Sequence, residues 1–435
     1  MGTNTEEMRV EEETTAFLSG KLAQVDIMRI ERELKHLWRS ATHTGEGHLV
    51  TRACAMNLVL YSEDADAEIS AGNILDEITT RHPCRAILAI RRQFEKPRLE
   101  AWVSARCHLT DSKTRKQIWC EQITVVSEGT GPHELASVVR PLVIPDLPVH
   151  LWWRTAGLDV EKMEPFFGAI DELIVDSAQD LEDGNYLIDL ANLVNTPDAQ
   201  RLVAVADLNW RRTYTFREGL ALAFSQAPEE TVPANSFDRI KQVEIRYGGG
   251  DKTSTEGGKG DPAVLNQALL YLGWMASRLG WRATAISGKE GDREIEIKFA
   301  NLGRAQSRSQ SSKGKPQTTA ADQEMVKELS ARLIRYCDEP TVSGALCSVR
   351  VSFADGGTGW IYVDHPKGMP GVQVRYGDDE AGSAEKKNHN FTLTEASESR
   401  IIDDELESTH RDPSFEPALT SAVEIKRLLK SASKK

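Results

Sequence analysis

No run of eighteen apolar residues occurs anywhere in the 435-residue chain, so the sequence offers no helix that would span a bilayer. The first residues, MGTNTEEMRVEEETT, lack the apolar core of a signal peptide and are rich in glutamate. Glu6 stands where a myristoylated N-terminus carries Ser or Thr. The expectation is a cytoplasmic protein. Positive charge is also in deficit: 53 Lys and Arg against 66 Asp and Glu leave a net charge of −13. That balance argues against a nucleic-acid partner, which needs a basic footprint to displace counterions, and against docking on an anionic membrane. The six cysteines form no CxxC and no tight group with histidine, so neither a zinc site nor any other metal or cofactor is expected.

Several signatures of catalysis are missing. YGGGDKTSTEGGKGDP has the look of a phosphate-binding loop, but Gly258-Lys259 is followed by Gly260, where a Walker A loop carries the Ser or Thr that meets the metal. A linker between a strand and a helix fits it better. No GxGxxG follows a strand to open a helix, and neither GxSxG nor HExxH occurs. No catalytic residue is assigned.

What is present is a chain of ordinary composition, 40% hydrophobic and 27% charged, long enough for two or three domains. Residues 1–20 read as a disordered N-terminus. Asp26 caps a helix to about Ser40, with Ile27, Ile30, Leu34 and Leu37 on one face. LVTRACAMNLVLYS reads as a central strand, and a helix from about Ala67 ends at His82-Pro83. CRAILAIRR, LEAWVSARCHLT and QIWCEQITVVSE read as strands, HELASVVRPLV as a short helix and VHLWWRT as a strand. The order β-α-β-β-β-α-β gives a mixed sheet flanked by helices over 21–157.

A second α/β domain, of α+β character, is expected over 158–435. DELIVDS ends a helix–strand pair, and NYLIDLANLVN, DAQRLVAVADL and TFREGLALAFSQ read as helices. Asp261 and Pro262 open a helix that Gly280 stops, with Leu265, Ala268, Leu269, Leu272, Met275 and Leu279 as its apolar stripe. Residues 303–323 form a polar, low-complexity mobile loop. MVKELSARLIRYC reads as a helix, ALCSVRVSFA, GWIYVDH and GVQVRYG as strands, and a last helix begins near Ser414. No internal repeat is found.

The candidate chemistry lies mostly in arginines. Arg81 and Arg85 flank HPC, Arg154 closes PLVIPDLPVHLWWR, and Arg211, Arg212 and Arg217 lie in DLNWRRTYTFRE. They either converge on a phosphate or carboxylate, which guanidinium binds with two hydrogen bonds, or form separate structural ion pairs. In VHLWWR, Trp152 and Trp153 alternate on a strand, so one faces the core and the other outward, where with Arg154 it makes a partner or anion contact. Asp146 orders the turn between two prolines. A hairpin around DSKTRK, with Cys107 opposite Cys120, would set Arg106 opposite Glu121. The two thiols are then either a redox pair or buried reduced thiols. His82 and His150 lie near strand ends, and Asp171, Glu172, Asp176 and Asp180 make an acidic stretch.

RACAMNLVLY, HPCRAI, VVRPLVIPDLPVHLWWR, DELIVDS and DLNWRRTYTFRE occur in this order, and PDLPVHLWW is the most specific of them. Together, from about Arg52 to Arg217, they resemble the OpcA family of glucose-6-phosphate dehydrogenase assembly proteins. LLYLGWMASRLGW extends the likeness more loosely. The resemblance implies a non-catalytic partner that helps glucose-6-phosphate dehydrogenase assemble or become active, and so supports the oxidative pentose phosphate pathway and NADPH production. In photosynthetic members it also implies thioredoxin-linked redox control.

Two functions follow as expectations. One is an assembly factor and allosteric activator of that dehydrogenase. The other is a sensor or enzyme for a sugar phosphate, using the arginines as an anion site.

Overall fold

A computed structural model describes residues 23–36, 50–52, 54–64, 74–75, 77–93, 96–111, 116–129, 131–180, 184–227, 232, 236–249, 265–302, 328–336, 344–353, 359–366, 371–377, 391–394, 397–408 and 410–433. The expected disordered N-terminus, the loop at 303–323 and the Asp261-Pro262 cap lie outside them. Two compact units result. The first takes the chain as far as Asp176 and regains it for Asn195–Ala206 and Glu398–Arg411; the second holds Ser177–Val194, Asp207–Ser397 and Asp412–Lys435. The boundary expected at 157 falls inside the first unit, because the sheet there continues for two more strands.

The first sheet is built from β1 (Ala23–Val25), β2 (Val50–Arg52), β3 (Met56–Ser62), β4 (Cys84–Arg92), β5 (Arg98–Asp111), β6 (Lys116–Glu128), β7 (Val149–Arg154), β8 (Glu172–Val175) and β9 (Ala204–Asp207). Its order is β1-β5-β6-β4-β3-β7-β8-β9, with β2 on β6. From β6 through β4, β3 and β7 to β8 the pairs are parallel, while β5 joins β6 antiparallel. Strands of a parallel sheet covered on both faces are apolar at consecutive positions. Every residue of β3 is buried, as are the first five of β7. Both Trp152 and Trp153 are therefore 1% exposed. The expectation that one of them faces outward is corrected, since alternation delivers the two side chains to two covered faces.

The chain enters β7 through a clasp. Asn57, at the start of β3, donates to the Ile144 carbonyl at 3.0 Å and accepts from the Ile144 amide at 2.7 Å. Asp146 takes φ 64°, a conformation that Asp tolerates better than most residues. The ring of Trp153 then stacks on Tyr61 at 3.9 Å, with Phe166 edge-on to both.

The second sheet holds β10 (Ile240–Gly248), β11 (Trp281–Ser287), β12 (Glu294–Asn301), β13 (Glu328–Tyr336), β14 (Leu346–Phe353), β15 (Trp360–Asp364), β16 (Gly371–Gly377) and β17 (Phe391–Thr394). The order is β11-β12-β13-β10-β14-β15-β16-β17, with β10 and β13 the parallel pair. The Tyr214–Gln226 helix lies against β15 and β16, where Gly219 meets Val363 and Val374. The Asn266–Leu279 helix packs on the Phe415–Ser433 helix and ends at Gly280 with φ 71°, as its stop residue predicts.

Two sequence expectations fail here. MVKELSARLIRYC supplies β13, not a helix: Leu329, Ala331 and Leu333 are buried at alternate positions between β12 and β10. DAQRLVAVADL supplies one short helix, Pro197–Arg201, and then β9. Among the described residues no helix is long and apolar enough to cross a membrane.

Candidate functional site

The strongest constellation grows from DLNWRRTYTFRE. Asp207 caps the Leu208–Arg212 helix by accepting from the Asn209 amide at 3.0 Å, and Thr213 joins it to the Tyr214–Gln226 helix. Trp210 is buried, and its indole N–H donates to the Asp412 carboxylate at 2.8 Å. Asp412 also accepts from the Ser414 amide at 2.8 Å. The guanidinium of Arg217 lies over the Trp210 ring with Cζ 3.6 Å from its centre. Its Nε donates to Thr213 Oγ1 at 2.9 Å, and that hydroxyl donates to the Trp210 carbonyl at 2.7 Å. Plane and edge of the guanidinium are thus both fixed. Among the described residues no carboxylate comes within ion-pair distance of Arg217. Tyr214, 51% exposed, sits beside it with its ring centre 5.8 Å from Cζ.

The electrostatics follow from this geometry. Burial lowers the Arg217 pKa to about 10, and the positive charge of Arg211 adds to that effect against the opposing pull of Asp412. The Asp412 carboxyl is itself held below the ordinary range: its hydrogen bonds from Trp210 and Ser414 and the charges of Arg217 and Arg211 outweigh its own burial, the largest single influence. The positive charge of Arg211 thus reaches Arg217, six residues on. Arg212 is half-buried on the same short helix.

The other arginines divide differently. Arg85, in the first unit, is 2% exposed and forms a structural ion network: Nε to Glu121 at 2.9 Å, Nη2 to the same oxygen at 2.7 Å, and Nη1 to the Leu142 carbonyl at 2.6 Å and to Glu31. Arg154 closes β7 opposite Ser62, half-buried, also in the first unit. Arg81 pairs with the buried Asp403, and His82 Nε2 lies 3.5 Å from the same carboxylate. His150 pairs through Nδ1 with its register partner Glu172 on β8.

In the second unit Lys426, fully buried, donates to Asn266 at 2.8 Å and lies 3.2 Å from Glu290 and 3.6 Å from Asp180. Neither this cluster nor the Arg81–Asp403 pair was legible, because each joins segments hundreds of residues apart. Asp412 stands in His410-Arg411-Asp412, the letters of a kinase catalytic loop, but Pro417 occupies the place of that loop's asparagine. Among the described residues no group of His, Cys, Asp or Glu is arranged to hold a metal ion.

The cysteine pairing is corrected. At the mouth of the β5–β6 hairpin Asp111 faces Lys116, the register that would carry Cys107 opposite Cys120. An irregularity between Leu109 and Asp111 shifts it by one residue, so Cys107 faces Trp119 and Arg106 faces Cys120. Glu121 then lies opposite Ala105, and its ion partner is Arg85 on the neighbouring strand. The side chain of Cys107 lies outside the described residues. Cys120 is buried, and its thiol donates to the Thr79 carbonyl at 3.6 Å.

Two family models match in sequence order. One, described as a glucose-6-phosphate dehydrogenase subunit N-terminal domain, covers residues 75–192; the other, the subunit's C-terminal domain, covers 203–419. Among curated proteins, the OxPP cycle protein OpcA of Synechocystis is 31% identical over 61% of this chain and 51% of its own. The protein of the same name from Nostoc punctiforme is 33% identical over 54% of this chain and 46% of its own. The chain thus spans about half the length of these relatives. Among solved structures, an apo levoglucosan dehydrogenase aligns at 12% identity over 88% of this chain and 98% of its own, with a TM-score of 0.46. A likeness of that size establishes neither fold nor activity.

Proposed function

The chain belongs to the OpcA family of glucose-6-phosphate dehydrogenase assembly proteins, and from that premise we propose that it is a non-catalytic assembly factor and allosteric activator of this dehydrogenase. It acts in the cytoplasm and raises NADPH supply through the oxidative pentose phosphate cycle. The observation that carries the reading is the match, in order, to both the N-terminal and the C-terminal subunit domains.

Activation then works by population shift. The protein binds the active form of the dehydrogenase more tightly than the inactive form, and the ratio of affinities sets the effect. For an enzyme one-tenth active on its own, a tenfold preference brings about half of it into the active form. Purified chain and dehydrogenase, mixed and followed by light scattering behind a sizing column and by initial rates of NADPH formation, provide the test. The expected result is a co-eluting complex with a higher rate or lower KM. Separate elution with unchanged kinetics would refute the proposal.

A further inference from the structure

Arginine side chains buried against a protein normally end on a carboxylate. Arg217 does not. Its plane rests on Trp210, its Nε is tied to Thr213, and its two terminal nitrogens make no hydrogen bond or ion pair among the described residues. Neither is sealed away from solvent. The nearest acid, Asp412, is turned to the indole N–H of Trp210 and the Ser414 amide, beyond ion-pair distance of the guanidinium. A planar fork of donors held rigidly in a half-buried position is the arrangement that recognises an oxyanion with two parallel hydrogen bonds.

We propose that the outer edge of Arg217 is a binding site for a small phosphate monoester, with Arg211 supplying a second positive charge and Tyr214 an exposed aromatic face for the group that carries the phosphate. The choice of phosphate over carboxylate rests on charge. A phosphate monoester carries about −1.5 to −2 at pH 7, and so gains more from the Arg217 charge and from the positive field of Arg211 than a single negative charge does. The site is also prepared in advance. The platform Trp210 is anchored by Asp412, the orienting hydroxyl of Thr213 is anchored by the Trp210 carbonyl, and the guanidinium loses little freedom when an anion arrives. Burial of Arg217, which lowers its pKa to about 10, leaves it charged at neutral pH and short of compensation that an anion would provide.

The test uses the full chain without the dehydrogenase, so its outcome does not depend on the assembly reading, which contributes only the choice of one probe. Titration calorimetry and thermal melting are run with inorganic phosphate, with glucose 6-phosphate and with glucose. Phosphate and glucose 6-phosphate are expected to bind saturably and raise the melting temperature; glucose does neither. Arg217→Gln should weaken both anions by about tenfold or more, and Arg217→Lys, which keeps the charge and loses the fork, by less. Tighter binding of glucose 6-phosphate than of phosphate assigns a sugar contact to Tyr214; equal binding confines recognition to the anion. No saturable binding by the wild-type chain, or undiminished affinity in folded Arg217→Gln, overturns the proposal. Should Arg217→Gln not fold, undiminished affinity in Arg217→Lys does the same.

Discussion

Arg85 and Glu121 face each other across the parallel strands β4 and β6, almost wholly out of solvent, with Nε 2.9 Å from the carboxylate. On its other side, in β5, Glu121 faces Ala105 and not Arg106. Removing one partner of a buried pair leaves an uncompensated charge, whereas replacing both with apolar groups does not. Glu121→Ala should therefore cost about 3–5 kcal/mol in urea unfolding. Arg85→Met with Glu121→Leu should cost clearly less than the sum of the single changes. Additive losses would show that the two charges are not coupled.

The slipped register bears on redox behaviour. Because Cys107 and Cys120 are one residue out of step, a mild thiol oxidant should form no link between them. Peptide mapping by mass spectrometry after oxidation is the measurement. A 107–120 crosslinked peptide in folded protein would contradict the register.

His82 sets a pH dependence in the first unit. Burial, outweighing the nearby Glu407 and helped by the charges of Arg81, Arg400 and His150, lowers its pKa below the ordinary value of 6.5. The unfolded chain then binds a proton more readily than the fold. Stability from this group is full above about pH 6.5 and is lost as pH falls toward the lower folded value. Melting temperatures between pH 7.5 and 5 should fall, and His82→Gln should flatten that slope.

Gly273 lies where the Asn266–Leu279 helix meets the Phe415–Ser433 helix. A Cβ there would press on the Ala418 carbonyl and come within 2.7 Å of the Ala422 amide nitrogen, both backbone atoms that cannot swing aside. Gly273→Ala gains helix propensity yet should destabilise by about 1–3 kcal/mol, the range of an overpacked contact. A more stable variant in thermal melts would mean the two helices separate freely.

These particulars show which parts of the molecule its sequence discloses. Continuous apolar runs such as CRAILAIRR and VHLWWR disclose buried parallel strands, because period and flanking prolines agree. ELSARLIRY misleads because Leu329 and Leu333 satisfy a helical spacing as well as an alternating one, and its Glu, Arg and Leu favour helix. Pairing with β10 and β12 decides the matter, and no local signal reports that pairing. The same holds for the site. Arg211, Trp210 and Arg217 share one short stretch, so their association could be read; Asp412, which anchors the indole, lies about two hundred residues on and could not.

The two units are threaded through one another along the chain, with passages after Asp176, Val194, Ala206, Ser397 and Arg411. The first unit gains its Asp403 and Arg411 only from its final segment. On a ribosome, that unit stays incomplete until Glu398–Arg411 has emerged, after the long Asp207–Ser397 stretch of the second unit. Cutting the chain between 192 and 203, where the two family models part, would interrupt both units. The halves should therefore be unable to fold separately.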